Sequence, residues 1–290
     1  MEIPNFFAVI LFLAFSNAEI EKKNIKILQV MPFIAYSHVK FQGHLADLLV
    51  AEGYDVHLAI HEMRPITAVG SNLAKIIKFH TSVAKQENAQ NPIKAVFQNK
   101  TAYDDHACIL FWRSMGHVCK EVLQNETYKS MLKFENFDLG IGQDPCAFVL
   151  FKELGIKATI MAGPMPLMDD VEYVHGIPIQ RSYNNFIFNG YINAPYLTFM
   201  QRLGATLEIL TKYIGYGSPT NFEMQKVLDD SFGKGKYNLE EAMQDVSLIF
   251  SNSHELIDIA RPTMAKVIPI GGLAMIPPKA LTEVNEVFEN

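Results

Sequence analysis

Apolar residues gather at Ile25, Ile27, Leu28, Val30 and Met31 and stop at Pro32, the pattern of a strand buried on both faces. From Val39 the spacing turns helical, with Val39, Leu45, Leu48 and Leu49 on one stripe. Gly53 stops that helix as a C-terminal glycine does. Residues 54–60 return to strand spacing. These stretches make a βαβ unit, with His38 where the first strand hands over to the first helix. The alternation continues with expected strands at 76–80, 137–141 and 158–162, and expected helices at 109–123 and 147–154, the second capped by Gly155. Further on, 237–245 reads as a helix, 246–250 as a strand, 254–259 as a short helix or turn, and 267–270 as the last strand. Such alternation predicts an α/β fold, a parallel sheet with helices on both faces.

Two segments break the rhythm. Residues 86–99 are polar and read as a loop. From 169 to 216 the chain becomes rich in aromatic residues, and a helix is predicted at 198–213. Ordinary packing at a domain edge is the simpler reading of those aromatics.

Composition narrows the function classes. The chain has 290 residues, 49% of them hydrophobic, enough for a sizeable core. A net charge of −6 without any basic run argues against a nucleic-acid partner. An apolar run over 6–15, followed by Ser16-Asn17-Ala18, reads as a signal peptide over 1–18, although Glu2 replaces the usual basic start. The alternative is a buried N-terminal helix. The spacing of Cys108, Cys119 and Cys146 fits no zinc pattern, so no metal is expected, and the three read as buried thiols rather than as a disulfide pair. Asn99-Lys-Thr101 and Asn125-Glu-Thr127 are glycosylation sequons.

Ligands of open α/β sheets bind at the carboxyl ends of the strands, where His38 falls. A histidine near the positive end of a helix dipole is held neutral, and a neutral imidazole takes a proton from a hydroxyl. On the local pattern alone, His38 reads equally as a surface residue capping a helix. The loop holds no Gly-x-Gly-x-x-Gly, so a dinucleotide site of the usual kind is not expected.

The block Val30-Met-Pro-Phe-Ile-Ala-Tyr-Ser-His38, with Leu45-Ala-Asp-Leu-Leu49 and Glu52-Gly-Tyr-Asp-Val56, resembles the opening of a UDP-glycosyltransferase, and more narrowly the nematode UDP-glucuronosyltransferase-like branch. The resemblance continues through Phe137-Asp-Leu139, Cys146, Leu154-Gly-Ile-Lys157, Ser251-Asn-Ser253, Arg261-Pro-Thr263 and Val267-Ile-Pro-Ile-Gly-Gly272. It implies a Rossmann-like domain over 19–272, the N-terminal half of a two-domain GT-B glycosyltransferase, and the start of an interdomain linker over 273–290. It implies an enzyme that moves glucuronic acid, or another sugar, from a UDP-sugar to a small lipophilic acceptor with inversion. His38 would be the general base, and no cofactor is needed beyond the UDP-sugar co-substrate. The family takes the acid behind its base from the loop after the Phe-Asp strand. Here that loop is shorter: either Asp144 fills the acidic position, as the Asp-Pro pair favours, or Gln143 falls there and the partner is lost. Asp144 also reads as a helix N-cap. Phe33, Ile34, Tyr36, Phe111 and Pro164 are expected to line the acceptor pocket, because they follow or flank strand ends.

The family's donor-binding half carries a Trp-x-x-Gln segment, whereas Trp112 is followed by Arg-Ser-Met. The chain alone is therefore expected to be inactive without a donor-binding domain. The rival expectation is a truncated, non-catalytic paralogue that binds lipophilic ligands or forms oligomers with full-length relatives. The resemblance also implies residence in the endoplasmic reticulum lumen, with peripheral membrane contact through the aromatic stretch at 186–216.

Overall fold

A computed structural model of the chain describes residues 25–65, 67–85, 105–179, 198–204, 206–207, 219–258, 260–273 and 275. In chain order the elements begin with β1 (Lys26–Pro32), α1 (Tyr36–Ala51), β2 (Asp55–His61) and β3 (Lys75–Phe79). Helices α2 (Asp105–Gln124) and α3 (Glu126–Phe134) follow, then β4 (Leu139–Gly142), α4 (Pro145–Leu154), β5 (Ala158–Ala162) and α5 (Asp169–Val174). Helices α6 (Pro219–Phe232) and α7 (Leu239–Gln244) lead to β6 (Leu248–Ser251) and β7 (Val267–Pro269).

The seven strands form one parallel sheet in the order β3-β2-β1-β4-β5-β6-β7. This is a doubly wound sheet, and the direction of winding reverses between β1 and β4. Strand β1 sits at that reversal, with Val30 in register with Ala59 of β2 and with Gly142 of β4. Its residues from Ile27 to Pro32 are all buried, as a strand covered on both faces requires.

The largest core cluster lies under α2, α4 and α6 and includes Met115, Leu123, Leu132, Phe148, Leu150, Phe151 and Met224. Each such side chain, buried in full, stabilises the fold by roughly 1.5–3 kcal/mol. Helix α4 lies unusually close to β4. A Cβ on Gly140 would stand 2.7 Å from the Phe151 ring, and one on Gly142 would stand 2.7 Å from Ala147 Cβ. Bare glycines let that helix settle on its own strand. Gly155 then ends α4 in the left-handed conformation, at φ 79°.

Two expectations are corrected here. Leu48 is 48% exposed, whereas α1 buries Val39, Phe41, Gln42, Gly43, Leu45 and Ala46. At about 100° per residue, Leu48 turns some 200° away from Ala46. Cys119 and Cys146, read as thiols, form a disulfide that ties α2 to α4. The pairing joins two helices that stack only in the folded chain, so spacing along the sequence could not reveal it. The side chain of Cys108 and most of 186–216 lie outside the described residues, as do 1–18, Asn99 and nearly all of 273–290. No helix among the described residues is long and apolar enough to cross a membrane.

Candidate active site

The reversal of winding places the loop after β1 beside the loop after β4. His38 rises from the first turn of α1, and Gln143 follows Gly142 at the end of β4. Their side chains meet, with Gln143 Nε2 2.6 Å from His38 Nδ1. His38 is half-buried, and burial lowers its pKa from the ordinary value, so the ring is neutral at physiological pH.

Behind this pair runs a line of glutamines. Gln42, one helical turn after His38, donates through Nε2 to Gln143 Oε1 at 3.3 Å and to Ala162 O, the end of β5, at 2.7 Å. Gln29, in the middle of β1, donates to Gln42 Oε1 and, at 2.9 Å, to the Gln42 backbone carbonyl. Both Gln29 and Gln42 are fully buried. Neither was expected from the sequence, although a signal is present. Gln29 interrupts an apolar strand, and Gln42 stands at the i+4 position from His38, on the same helix face.

Asp144 does not pair with His38. Its carboxylate accepts from the Cys146 N–H at 3.0 Å and caps α4. Pro145 at the first helical position fixes the entry of the helix, and the extended backbone of Asp144 folds its side chain back over that turn. Burial pushes the Asp144 carboxyl up to about 6, against the opposing pull of the backbone N–H of Cys146. Of the two alternatives for the shortened loop, the geometry sets Gln143 at the ring.

The five residues expected to line an acceptor pocket differ in their surroundings. Phe33 is a core residue, closed off among Met31, Val39, Leu58 and Ile60, because its N–H continues the sheet by donating to His61 O at 2.8 Å. Ile34 and Phe111 are partly buried against the main core, and Phe111 packs edge-on to Trp112. Tyr36 is exposed at 66%. Pro164 lies in the loop after β5, where its carbonyl accepts from Asn252 Nδ2 at 2.7 Å. Two surface depressions are lined by other residues. One, about 430 Å³, opens at the opposite end of the sheet around Gly155 and Thr159, and the other, about 380 Å³, lies beside Ser253, Leu256 and Pro269.

Arg261 is a structural clamp. It donates to Leu167 O at 2.8 Å and pairs with buried Glu172 at 3.3 Å, binding the segment after β6 to α5. Among the described residues, no group of three His, Cys, Asp or Glu side chains could hold a metal ion.

No protein-family model matches the chain. It is 24% identical over 284 residues to "Putative UDP-glucuronosyltransferase ugt-47" of Caenorhabditis elegans, a match covering 91% of this chain and 50% of that protein. It is 25% identical to "Putative UDP-glucuronosyltransferase ugt-56" of the same organism, covering 88% and 49%, and 27% identical to UDP-glucuronosyltransferase 1-2 of Rattus norvegicus, covering 66% and 36%. The chain thus spans about half the length of the nematode relatives it matches. Among solved structures, it is similar to Phytolacca americana UGT2 complexed with UDP-2fluoro-glucose and pterostilbene, at a TM-score of 0.46 and 11% identity over 86% of this chain and 54% of that one. It is also similar to glycosyltransferase VinC in complex with DTDP, at 0.44 and 10% over 84% and 52%. Through nine-tenths of its length, then, the chain is similar to the N-terminal halves of UDP-glucuronosyltransferases.

Proposed function

We propose that the chain supplies the acceptor-binding half of a UDP-sugar-dependent glycosyltransferase, using 19–272 as that domain and 273–290 as the start of a linker. The sugar is glucuronic acid in the first instance, and the acceptor is a small lipophilic molecule. His38 at the winding reversal, neutral and half-buried, is the observation that carries this reading. In the reaction the acceptor oxygen attacks the anomeric carbon from the face opposite UDP. The carbon–oxygen bond to UDP breaks, configuration inverts, and the hydroxyl proton passes to His38. A second reading, a non-catalytic member that binds lipophilic ligands, draws its support from Gln143 standing where an acid would orient the ring.

The test joins the chain to the remaining half of the nematode relative ugt-47 and assays UDP-glucuronic acid with a panel of phenols, alcohols and carboxylic acids. Turnover is expected, and His38→Ala should lower it at least about tenfold on neutral hydroxyl acceptors, the low end of what a general base contributes. Turnover indifferent to His38, or none with any acceptor, would remove the catalytic reading.

The same reading carries residence in the endoplasmic reticulum lumen after cleavage at Ala18. The disulfide supports it, since such bonds persist in oxidising compartments. So does Asn125, exposed at the start of α3. Its side-chain oxygen accepts from Tyr128 N–H at 2.9 Å, which leaves the amide nitrogen for a glycan. Expressed in cells, the chain should shift on endoglycosidase treatment, and Asn125→Gln should remove one glycan. An unshifted chain in the cytosol would refute the lumenal assignment. Peripheral membrane contact is supported by Phe199, Met200 and Leu207, all exposed.

A further inference from the structure

We infer that Gln143 is a positioning residue. A chain of side-chain amides anchored on the Ala162 carbonyl holds His38 as the tautomer with its proton on Nε2, so the resting site offers its ligand a hydrogen-bond donor and favours acceptors whose attacking oxygen is already ionised. This rests on the reading of His38 as the group that meets the acceptor.

Backbone carbonyls only accept hydrogen bonds. Ala162 O takes a hydrogen from Gln42, so the amide nitrogen of Gln42 faces β5 and its oxygen faces Gln29. Gln29 is held the same way by the Gln42 carbonyl. Turning either amide round would set oxygen against oxygen. The second hydrogen on Gln42 Nε2 goes to Gln143 Oε1. With its oxygen engaged there, Gln143 presents its nitrogen to the ring. An amide NH₂ cannot accept, so His38 Nδ1 must, and the proton of the neutral ring resides on Nε2.

The arrangement has a cost that marks it as imposed. Gln29 Oε1 is buried and finds no donor among the described residues. Burial is the main influence holding the ring neutral, and an amide supports an imidazolium only through its oxygen. In this geometry the nitrogen faces the ring.

The chemistry follows. A base must present a lone pair at Nε2, as in a Ser-His-Asp triad, where the wrong tautomer costs about 10⁴ in rate. For His38 to act on a neutral hydroxyl, its proton must move to Nδ1 and Gln143 must turn over, giving up its bond to Gln42. A carboxylate or an acidic phenol needs no base. Its ionised oxygen accepts directly from Nε2–H and attacks the sugar as it stands. The acceptor class assigned to this site is therefore lipophilic acids.

Nitrogen-15 NMR of the full chain, labelled at histidine, tests the tautomer without any need for activity. His38, identified by the signals lost in His38→Gln, should show Nε2 protonated and Nδ1 bare, and Gln143→Glu should reverse them. Wild-type protein with the proton on Nδ1, or an even mixture, would overturn the inference. Should Gln143→Glu not fold, Gln143→Ala, which only removes the donor, must still weaken the Nε2–H preference. In the joined enzyme, Gln143→Glu should raise turnover of neutral alcohols about tenfold or more while changing that of carboxylic acids little. A fall with alcohols would overturn the inference even where the His38→Ala result upholds the function. An enzyme inactive with every acceptor would count against the function and leave the NMR result standing.

Discussion

Acid should destabilise this protein most strongly through one histidine, His61. His175, held down to about 4 by burial and by Lys266, adds to the loss in the same direction. His61, at the end of β2, is buried, and its Nε2 lies 3.0 Å from Tyr128 Oη. The rings of Phe79 and Tyr128 close over it. Burial pushes its pKa down to about 3. Above pH 6.5 both folded and unfolded chains hold this ring neutral, and its contribution is complete. Below 6.5 only the unfolded chain takes the proton, so stability falls as pH falls towards 3. At about 1.4 kcal/mol per pKa unit the loss reaches roughly 4–5 kcal/mol, a large part of the 5–15 kcal/mol that holds a typical domain together. Asp144 works in the opposite sense. Its raised pKa means the native state takes up a proton first between about pH 6 and 3.8, adding back roughly 3 kcal/mol. Urea titrations from pH 7 to 4 should show the decline in the native protein. His61→Gln, which cannot titrate, should narrow its stability gap to wild type as pH falls. A gap independent of pH would mean that His61 is not the acid-sensitive group.

The second large effect concerns the bond between Cys119 and Cys146, whose cysteines are 27 residues apart in the chain. Closing a loop of that length removes chain entropy from the unfolded state worth about 3–4 kcal/mol. Reductant should lower the denaturation midpoint by the corresponding amount, and Cys119→Ala with Cys146→Ala should fall to the same place. Intact mass should show two hydrogens gained on reduction. Because Cys146 is three residues beyond Gln143, in the first turn of α4, reduction should also broaden the His38 resonances. An unmoved midpoint, or free thiols in the native protein, would show that the bond does not support the fold.

What could be read before the structure depended on distance along the chain. The first βαβ unit was legible because Pro32, Gly53 and the change of period between them are local signals. Gly155 and strand 158–162 were legible for the same reason. Helices α3, α5 and α6 were not anticipated. The first turn of α5 is acidic, and α6 carries Asp229 and Asp230, so their apolar faces are short and acquire meaning only against α2 and the sheet. At the site, His38 stood out, but its partner did not. Asp144 and Gln143 are adjacent, and sequence cannot tell which of two neighbouring side chains turns outward. The proline at 145 and the capping demand of α4 decide it, drawing Asp144 inward and leaving Gln143 for the ring.

The order of the sheet also has a consequence for how the site comes into being. Strand β1 meets β2 within one short helical crossover, but Ile27 pairs with Leu139, on the far side of more than a hundred residues. Bringing those two strands together spends chain entropy before any contact repays it, so parallel pairings of this range form slowly. His38 and the Gln29–Gln42 bonds belong to the early partner, whereas Gln143 and Ala162 belong to the late one. Until that central junction closes, a refolding chain holds a histidine free to carry its proton on either nitrogen, and the two halves of the site exist without knowing each other.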